Sequence, residues 1–219
     1  MEKIIISETT HQEMIVNGTL EIGDNTEVRL ENTNNLTIIA GNCNEISVGK
    51  NCNITCGEEC VIYGGNENKI ITGANCTIEC VLLNEVETKQ YCKIMGCDEN
   101  NIKCLDCCEV VVTDGNKVTC GEDCVIYGGN ENKIEIKSNS KAFIGEDCEI
   151  KLKGKKILLE ISGKNAKVKN KAKNSGIITY NGKGKMKMYK TNKLKKGVVK
   201  VEKGEFSLDY DNRYTTIEN

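Results

Sequence analysis

The chain has 219 residues, of which 38% are hydrophobic and 28% charged, and its formal net charge is −2. This composition excludes intrinsic disorder and is typical of a folded protein. Two Phe, seven Tyr and no Trp leave the core to Ile, Val, Leu and Cys, which suits narrow and regular layers, and the absence of Pro is compatible with central strands.

The chain begins MEKIIISETT, which has neither the apolar run nor the small-residue cleavage site of a signal peptide. No segment approaches the roughly 18 apolar residues of a spanning helix. We therefore expect a cytoplasmic protein without a membrane span, or a component of a particle assembled inside the cell. The fourteen Cys are then expected to be mostly reduced thiols. His11, the only histidine, has no catalytic partner in a recognisable motif.

Apolar residues recur every eight positions from Ile22 to Leu158. This spacing does not keep to one helical face, whereas alternation around each apolar residue is typical of short strands. We predict that the register points inward throughout residues 22–152. Glycine often follows three positions after the apolar residue, where we predict a corner with positive φ. These glycines are Gly41, Gly49, Gly57, Gly65, Gly73, Gly121, Gly129 and Gly145.

A duplication defines the longer period. Residues 57–70 are GEECVIYGGNENKI and residues 121–134 are GEDCVIYGGNENKI, an offset of 64. Cys and Asn also alternate two positions before the apolar residue, so the repeat is 16 residues, which divides 64, whereas 24 does not. The prediction is an all-β, two-sheet parallel β-solenoid, or β-helix, with 16 residues per coil over residues 1–154. The alternating residues are Cys60, Asn68, Cys76, Asn84, Cys92, Asn100, Cys108, Asn116, Cys124 and Asn132.

The two inward columns are predicted to be structural. Stacked Asn side chains are expected to hydrogen-bond along the column and to the backbone of the corners. Inward Cys is expected to pack as a small hydrophobe. Eleven thiols fall on inward positions, namely Cys52, Cys56, Cys60, Cys76, Cys80, Cys92, Cys104, Cys108, Cys120, Cys124 and Cys148.

A metal site is the alternative interpretation of the cysteines. Its best spacings are Cys104-x-x-Cys107-Cys108 and the four-residue intervals between Cys52, Cys56 and Cys60. No second CxxC and no spaced His completes a tetrahedral set. We therefore predict no metal and no cofactor. Neither a phosphate loop nor a catalytic motif is present, and the carboxylates do not single out a pair, so we predict that the protein is not an enzyme.

One outward column is predicted to be an interface. The residues that follow the core position on the Cys-bearing sheet are mostly apolar, and a contiguous apolar surface marks a partner or self-association site. The opposite sheet carries Lys, Glu, Asn and Thr outward and is expected to be an ordinary solvated face. The candidate interface residues are Tyr63, Met95, Val111, Tyr127 and Phe143.

The C-terminal part differs from the repeats. Residues 176–190 and 197–210 look like antiparallel hairpins, with turns at 181–184 and 202–205, so we predict that residues 155–219 form a small Lys-rich β cap or docking module. Residues 1–154 carry 13 Lys and Arg against 26 Asp and Glu, whereas residues 155–203 carry 16 Lys against 2 Glu. This contrast predicts that residues 155–203 contact an acidic surface, without specific nucleic-acid readout.

The architecture of residues 1–154 resembles that of β-solenoid assembly proteins such as bactofilin-like polymers, phage tail spikes and fibres, and insect antifreeze rods. The resemblance carries no motif, and neither face has the flat Thr array of an antifreeze surface. It implies a structural protein that self-associates and forms or decorates a filament, fibre or particle, with a virion or phage component among the candidates. Two alternatives are a spike that binds a carbohydrate or surface receptor and an acidic mimic of DNA.

Overall fold

The computed structural model describes residues 2–5, 18–30, 34–154, 157–162, 166–170, 178–180, 185–190, 199–201 and 214–218. These residues form strands and corners, and no helix occurs among them. The chain divides into two compact units, residues 1–105 and residues 106–219. In each unit the odd-numbered strands form one parallel sheet and the even-numbered strands a second sheet, so the predicted two-sheet β-solenoid is confirmed.

The first unit contains six odd and six even strands among its described residues. The odd sheet of this unit has the order β1-β3-β5-β7-β9-β11, and the even sheet the order β2-β4-β6-β8-β10-β12. The strands are β1 (Glu2–Ile5), β2 (Thr19–Ile22), β3 (Thr26–Leu30), β4 (Thr37–Ala40), β5 (Glu45–Val48), β6 (Asn53–Thr55), β7 (Val61–Gly64), β8 (Lys69–Ile71), β9 (Thr77–Cys80), β10 (Glu85–Thr88), β11 (Lys93–Gly96) and β12 (Asn101–Cys104).

The second unit repeats the arrangement, again with six strands of each kind in its described part. Its sheets have the orders β13-β15-β17-β19-β21-β23 and β14-β16-β18-β20-β22-β24. The strands are β13 (Glu109–Val112), β14 (Lys117–Thr119), β15 (Val125–Gly128), β16 (Lys133–Ile136), β17 (Lys141–Ile144), β18 (Glu149–Leu152), β19 (Leu158–Ile161), β20 (Lys167–Asn170), β21 (Ile178–Tyr180), β22 (Lys185–Lys190), β23 (Val199–Val201) and β24 (Tyr214–Glu218).

The eight-residue period positions the core. Ile62, Ile78, Ile94 and Ile126 are completely buried, and every position of the register from Ile22 to Ile150 is buried. The inward register of residues 22–152 is therefore confirmed. Leu158 departs from it, because Leu158 is half-buried on the outward side and Leu159 takes the buried position.

The 16-residue coil holds in the middle of the chain and lengthens toward both ends. Thr37 pairs with Asn53, and Lys133 with Glu149, at the predicted spacing. Ile38, in contrast, pairs with Leu20, 18 positions earlier. Toward the C-terminus the spacing grows to 18 positions between Ile150 and Val168 and to 20 between Val168 and Met188. The strands keep their parallel register across these longer spacings.

The C-terminal hairpin predicted for residues 176–190 is wrong. β21 belongs to the odd sheet and pairs in parallel with β19 and β23, whereas β22 belongs to the even sheet and pairs in parallel with β20. A strand that follows an open parallel edge gains a hydrogen-bond ladder by adding to that edge, so the chain continues the solenoid. An antiparallel element does exist, between β22 and β24.

For the second predicted hairpin, residues 197–210, only β23 is described, and it pairs in parallel with β21. The remainder of that hairpin, with its turn at 202–205, lies outside the described residues. A separate cap or docking module over residues 155–219 stays a prediction.

The corners follow one rule that differs from the prediction. From Ile38 to Ile150, the residue three positions before each core position has positive φ, and most of these residues are not glycine; Glu59 (φ 58°) and Asn75 (φ 57°) are examples. Gly41, Gly57, Gly65, Gly73, Gly129 and Gly145 are needed for space instead, because a Cβ there would collide with the neighbouring coil. Positive φ at these glycines was therefore a wrong prediction.

Candidate functional site: inward ladders and outward faces

The inward asparagines of the first unit form a continuous ladder. Asn68, Asn84 and Asn100 precede three neighbouring strands of the even sheet, and each is about 1% exposed. The backbone N–H of Asn68 donates to Oδ1 of Asn84 at 2.9 Å, and that of Asn84 donates to Oδ1 of Asn100 at 2.8 Å. The Asn84 Nδ2 donates back to the carbonyl of Gly65 at 3.0 Å. Each amide thus joins one coil to the next.

The second unit uses the same device. The backbone N–H of Asn116 donates to Oδ1 of Asn132 at 2.8 Å, and Nδ2 of Asn132 donates to the carbonyl of Thr113 at 2.8 Å. The prediction that these amides bond along the column and to corner backbone is confirmed. Because the amides are buried and their polar groups are used by the fold, the asparagine ladder is a structural device.

The inward cysteines of the odd sheet form a similar ladder in the first unit. Cys60, Cys76 and Cys92 precede β7, β9 and β11. The backbone N–H of Cys60 donates to Sγ of Cys76 at 3.4 Å, and Sγ of Cys76 donates to the carbonyls of Gly57 and Ala74, both at 3.4 Å. The thiol therefore accepts and donates at the same places as an asparagine amide.

The second unit has a ladder of the same kind, in which the backbone N–H of Cys108 donates to Sγ of Cys124 at 3.5 Å. Burial of all eleven predicted thiols is confirmed. The interpretation of them as hydrophobes alone is incomplete, because the thiols of the cysteine ladders also hydrogen-bond. Burial raises the pKa of Cys80 to about 12 and that of Cys148 to about 11, so these thiols stay protonated at neutral pH.

Three thiols of the first unit meet at one corner. Sγ of Cys56, at the end of β6, lies with Sγ of Cys60 and Cys76, and the three atoms are within 4.8 Å of one another. The spacings noted in the sequence found only the pair Cys56 and Cys60. Cys76 joins them because it stands one coil further on, a neighbour that local spacing does not reveal. Cys52 is not part of this group.

The candidate interface has two parts. In the first unit Tyr63 and Met95 flank Glu79 on adjacent strands of the odd sheet, and Tyr63 is 39% exposed. In the second unit Val111, Tyr127 and Phe143 are successive neighbours, as their register on β13, β15 and β17 shows. The apolar column is therefore interrupted in the first unit and continuous over three strands in the second.

The rings of Tyr127 and Phe143 stack on each other. Their centroids are 5.2 Å apart, the angle between their planes is 10°, and Tyr127 is 44% exposed. A shallow groove of about 380 Å³ runs beside them, with Gly128, Glu160 and Ser162 in its lining. The stacking covers one face of each ring.

The outward face of the even sheet in the second unit is more structured than predicted. An open groove of about 470 Å³ is lined by Lys117, Lys133, Lys151, Lys167, Glu135 and Glu149, among others. Glu135 forms ion pairs with Lys151, at 2.6 Å, and with Lys153. Partial burial raises the pKa of Glu135, but the hydrogen bonds from Lys151 and Lys153 outweigh it and leave the pKa below its usual value.

Exposed apolar corner residues were missed by the sequence interpretation. Val81, Leu83, Tyr91 and Leu105 are each about half exposed or more. Leu83 and Tyr91 also have positive φ, at 57° and 61°. The missed signal was available, because Leu83 and Tyr91 stand three positions before a core residue, where Asn, Asp and Glu otherwise predominate in the described corners.

No protein-family model, curated protein or solved structure matches this chain. None of its described residues belongs to a helix with the length and apolar character needed to cross a membrane. His11 lies outside the described residues.

Proposed function

We propose that the protein is a non-enzymatic structural protein that self-associates into, or decorates, a filament, fibre or particle. The observation that carries this proposal is the column of Val111, Tyr127 and Phe143 on the outward face of a regular parallel sheet. Three apolar side chains on neighbouring strands, about 4.8 Å apart, form a ridge that a second copy can cover.

The ring geometry favours protein packing over a sugar platform. A carbohydrate ring binds against an exposed aromatic face, whereas the stacking of Tyr127 and Phe143 removes one face of each ring from such a contact. Their edges and the adjoining Val111 form a surface suited to an apolar protein contact. Burying a fully exposed Phe side chain contributes about 1.5 to 3 kcal/mol, and covering the exposed part of each of these side chains contributes a fraction of that.

Charge supplies a second contribution to association. Lys117 and Lys133 lie in register on adjacent strands of the groove-bearing face, and Lys167 is in register with Lys187. Residues 155–203 as a whole carry 16 Lys against 2 Glu, whereas residues 1–154 carry 26 acidic against 13 basic residues. We assign the acidic part of a second copy as the occupant of this basic face, because one chain then supplies both complementary surfaces.

Light scattering of the purified full chain over a range of salt concentrations tests the proposal. Tyr63, Tyr127 and Phe143 are changed together to Ser, and the matched control changes Ile39 and Ile71 to Ser, since these residues are similarly exposed but lie on the even sheet. The triple variant is expected to assemble less than the control at high salt. Changing Lys117 and Lys133 together to Gln is expected to reduce the assembly that salt weakens.

A protein that stays monomeric at high concentration in every salt would contradict self-association. The binding-module alternative would then be favoured by the groove beside Tyr127 and Phe143, where Glu160 and Ser162 supply polar groups next to aromatic carbon. Glycan-array binding that is lost in Tyr127→Ser would support that alternative. Binding to a DNA-binding protein that weakens when the acidic residues are substituted would support DNA mimicry. Location in the cytoplasm stays a prediction.

A further inference from the structure

The three-thiol cluster lies at the corner where the even sheet turns into the odd sheet. Cys56 directly follows β6, Cys60 directly precedes β7, and Cys76 precedes β9 one coil further on. All three side chains belong to buried residues, with exposures of 7%, 0% and 1%. The solenoid therefore holds three sulfur atoms together at a fixed position, screened from water.

The cysteine ladder accounts for Cys60 and Cys76 but leaves Cys56 unexplained. Thr72 and Thr88 occupy the position of Cys56 in the following coils, and their hydroxyls donate to the carbonyls of Gly73 and Lys89. Cys56 instead has Sγ of Cys60 and Sγ of Cys76 within 4.8 Å of its own Sγ. The cluster is therefore built around sulfur contacts.

The distances suit a small soft ion. Three atoms within 4.8 Å of one another lie within about 2.8 Å of a common centre, and metal–thiolate bonds are about 2.3 Å. A contraction of about half an ångström per sulfur completes the coordination, which side-chain rotation can supply. No His, Asp or Glu among the described residues joins the three sulfurs.

The number of ligands selects the kind of ion. Structural zinc sites are tetrahedral with four protein ligands, whereas this corner offers three sulfurs. Soft thiolate ligands favour Cu(I). We propose that Cys56, Cys60 and Cys76 form a three-sulfur site for a soft monovalent metal ion of the Cu(I) type, each coordinating thiol that ionises releasing its proton to solvent.

The site is tested on the reduced full chain without oxygen, by titration with Cu(I) in competition with a chromogenic Cu(I) chelator. The wild type is expected to bind one more tight equivalent than Cys56→Ser. The matched control is Cys52→Ser, because Cys52 is an equally buried thiol outside the cluster. It is expected to bind like the wild type. Circular dichroism of each variant checks that the fold is retained.

X-ray absorption spectroscopy at the copper edge adds a second measurement, which reports the type, number and distance of the atoms bound to copper. Coordination by three sulfur atoms at about 2.3 Å is expected for the equivalent of Cu(I) that Cys56→Ser fails to bind. Equal binding by the wild type and Cys56→Ser overturns the proposal, and so does a loss in Cys52→Ser as large as that in Cys56→Ser. If Cys56→Ser does not fold, the same comparison is made with Cys56→Thr, the residue type found at the equivalent positions 72 and 88.

Discussion

At the scale of the residue, the corner of each eight-residue unit imposes a left-handed backbone on one position. The described non-glycine residues there have φ between 54° and 61°. Asn, and to a lesser degree Asp, tolerates this conformation, whereas a bulky apolar residue is an outlier. Leu83 and Tyr91 are such outliers, and both are exposed, so neither is explained by packing in the core.

Leu83→Asn is expected to stabilise the protein by about 0.5 to 1 kcal/mol, because Asn adopts the left-handed conformation at lower cost. Urea unfolding followed by circular dichroism measures the change. Leu105→Asn is the matched control, since Leu105 is 52% exposed and does not have positive φ. Equal effects of the two substitutions would show that removing an exposed Leu, and not relieving backbone strain, is responsible.

Asn84→Ala is expected to destabilise the protein by about 2 to 3 kcal/mol. The substitution removes the acceptor of the Asn68 N–H and the donor to the Gly65 carbonyl, and it leaves buried polar groups without those partners. Equilibrium unfolding in urea gives the free energy. Asn53→Ala, on an exposed outward position of β6, is expected to change it by less than about 0.5 kcal/mol. A similar loss in both variants would argue against the ladder as a source of stability.

At the scale of the element, stacking of identical corners decides where glycine is required. The sequence located six of these glycines but suggested the wrong reason, because local turn chemistry and close approach of the preceding coil both favour glycine. Only the three-dimensional stack distinguishes them: a Cβ on Gly65 would fall on the carbonyl oxygen of Gly49. The positive φ is located three positions before the core residue instead.

Gly65→Ala is therefore expected to destabilise the protein by more than about 2 kcal/mol, since backbone atoms of the neighbouring coil cannot move aside as a flexible side chain can. The thermal midpoint and the urea midpoint are both expected to fall. Gly23→Ala is the control, because a Cβ at Gly23 meets no atom within 4 Å. An unchanged midpoint for Gly65→Ala would show that the stacked corners separate at little cost.

The C-terminal strands show the limit of sequence interpretation at the same scale. Two alternating segments with turn residues between them are compatible both with a hairpin and with a further coil of the solenoid. The pairing partner differs between these two structures: β21 pairs with β19 and β23, each about 20 residues away in the sequence, and not with the adjacent β22. The same limit applies to Cys76, whose contact with Cys56 depends on the coil spacing.

At the scale of the whole molecule, a strict period allowed most of the architecture to be predicted. The inward columns, the two sheets and the 16-residue coil could be predicted from residues 22–152 because each coil repeats the same pattern of inward and outward residues. Lengthened coils, such as the one that separates Val168 from Met188, break the period and hide the continuation of the fold. The partner of an outward face has no such repeat to reveal it, so function stays a proposal.

The buried thiols make stability depend on pH in the alkaline range. Burial raises the folded-state pKa of Cys80 to about 12 and of Cys148 to about 11 from an ordinary value of 9.0. Above pH 9 the unfolded chain loses these protons while the folded chain keeps them. The stability that each thiol contributes is therefore fully present below pH 9 and is lost as the pH rises toward the folded-state pKa.

Each of these two thiols is expected to lower the free energy of unfolding by about 1.4 kcal/mol at pH 10 relative to neutral pH. At pH 10, one unit above its ordinary pKa, the thiolate outnumbers the thiol about tenfold in the unfolded chain, and a tenfold ratio corresponds to that free energy. Urea unfolding at pH 8 and pH 10 under reducing conditions measures the difference. Tyr and Lys side chains also titrate in this range, so the wild type is compared with a Cys80→Ala, Cys148→Ala double variant. The alkaline loss should be smaller by about 2 to 3 kcal/mol in the double variant. An identical pH dependence would mean that these thiols ionise in the folded protein as readily as in the unfolded chain, which their burial opposes.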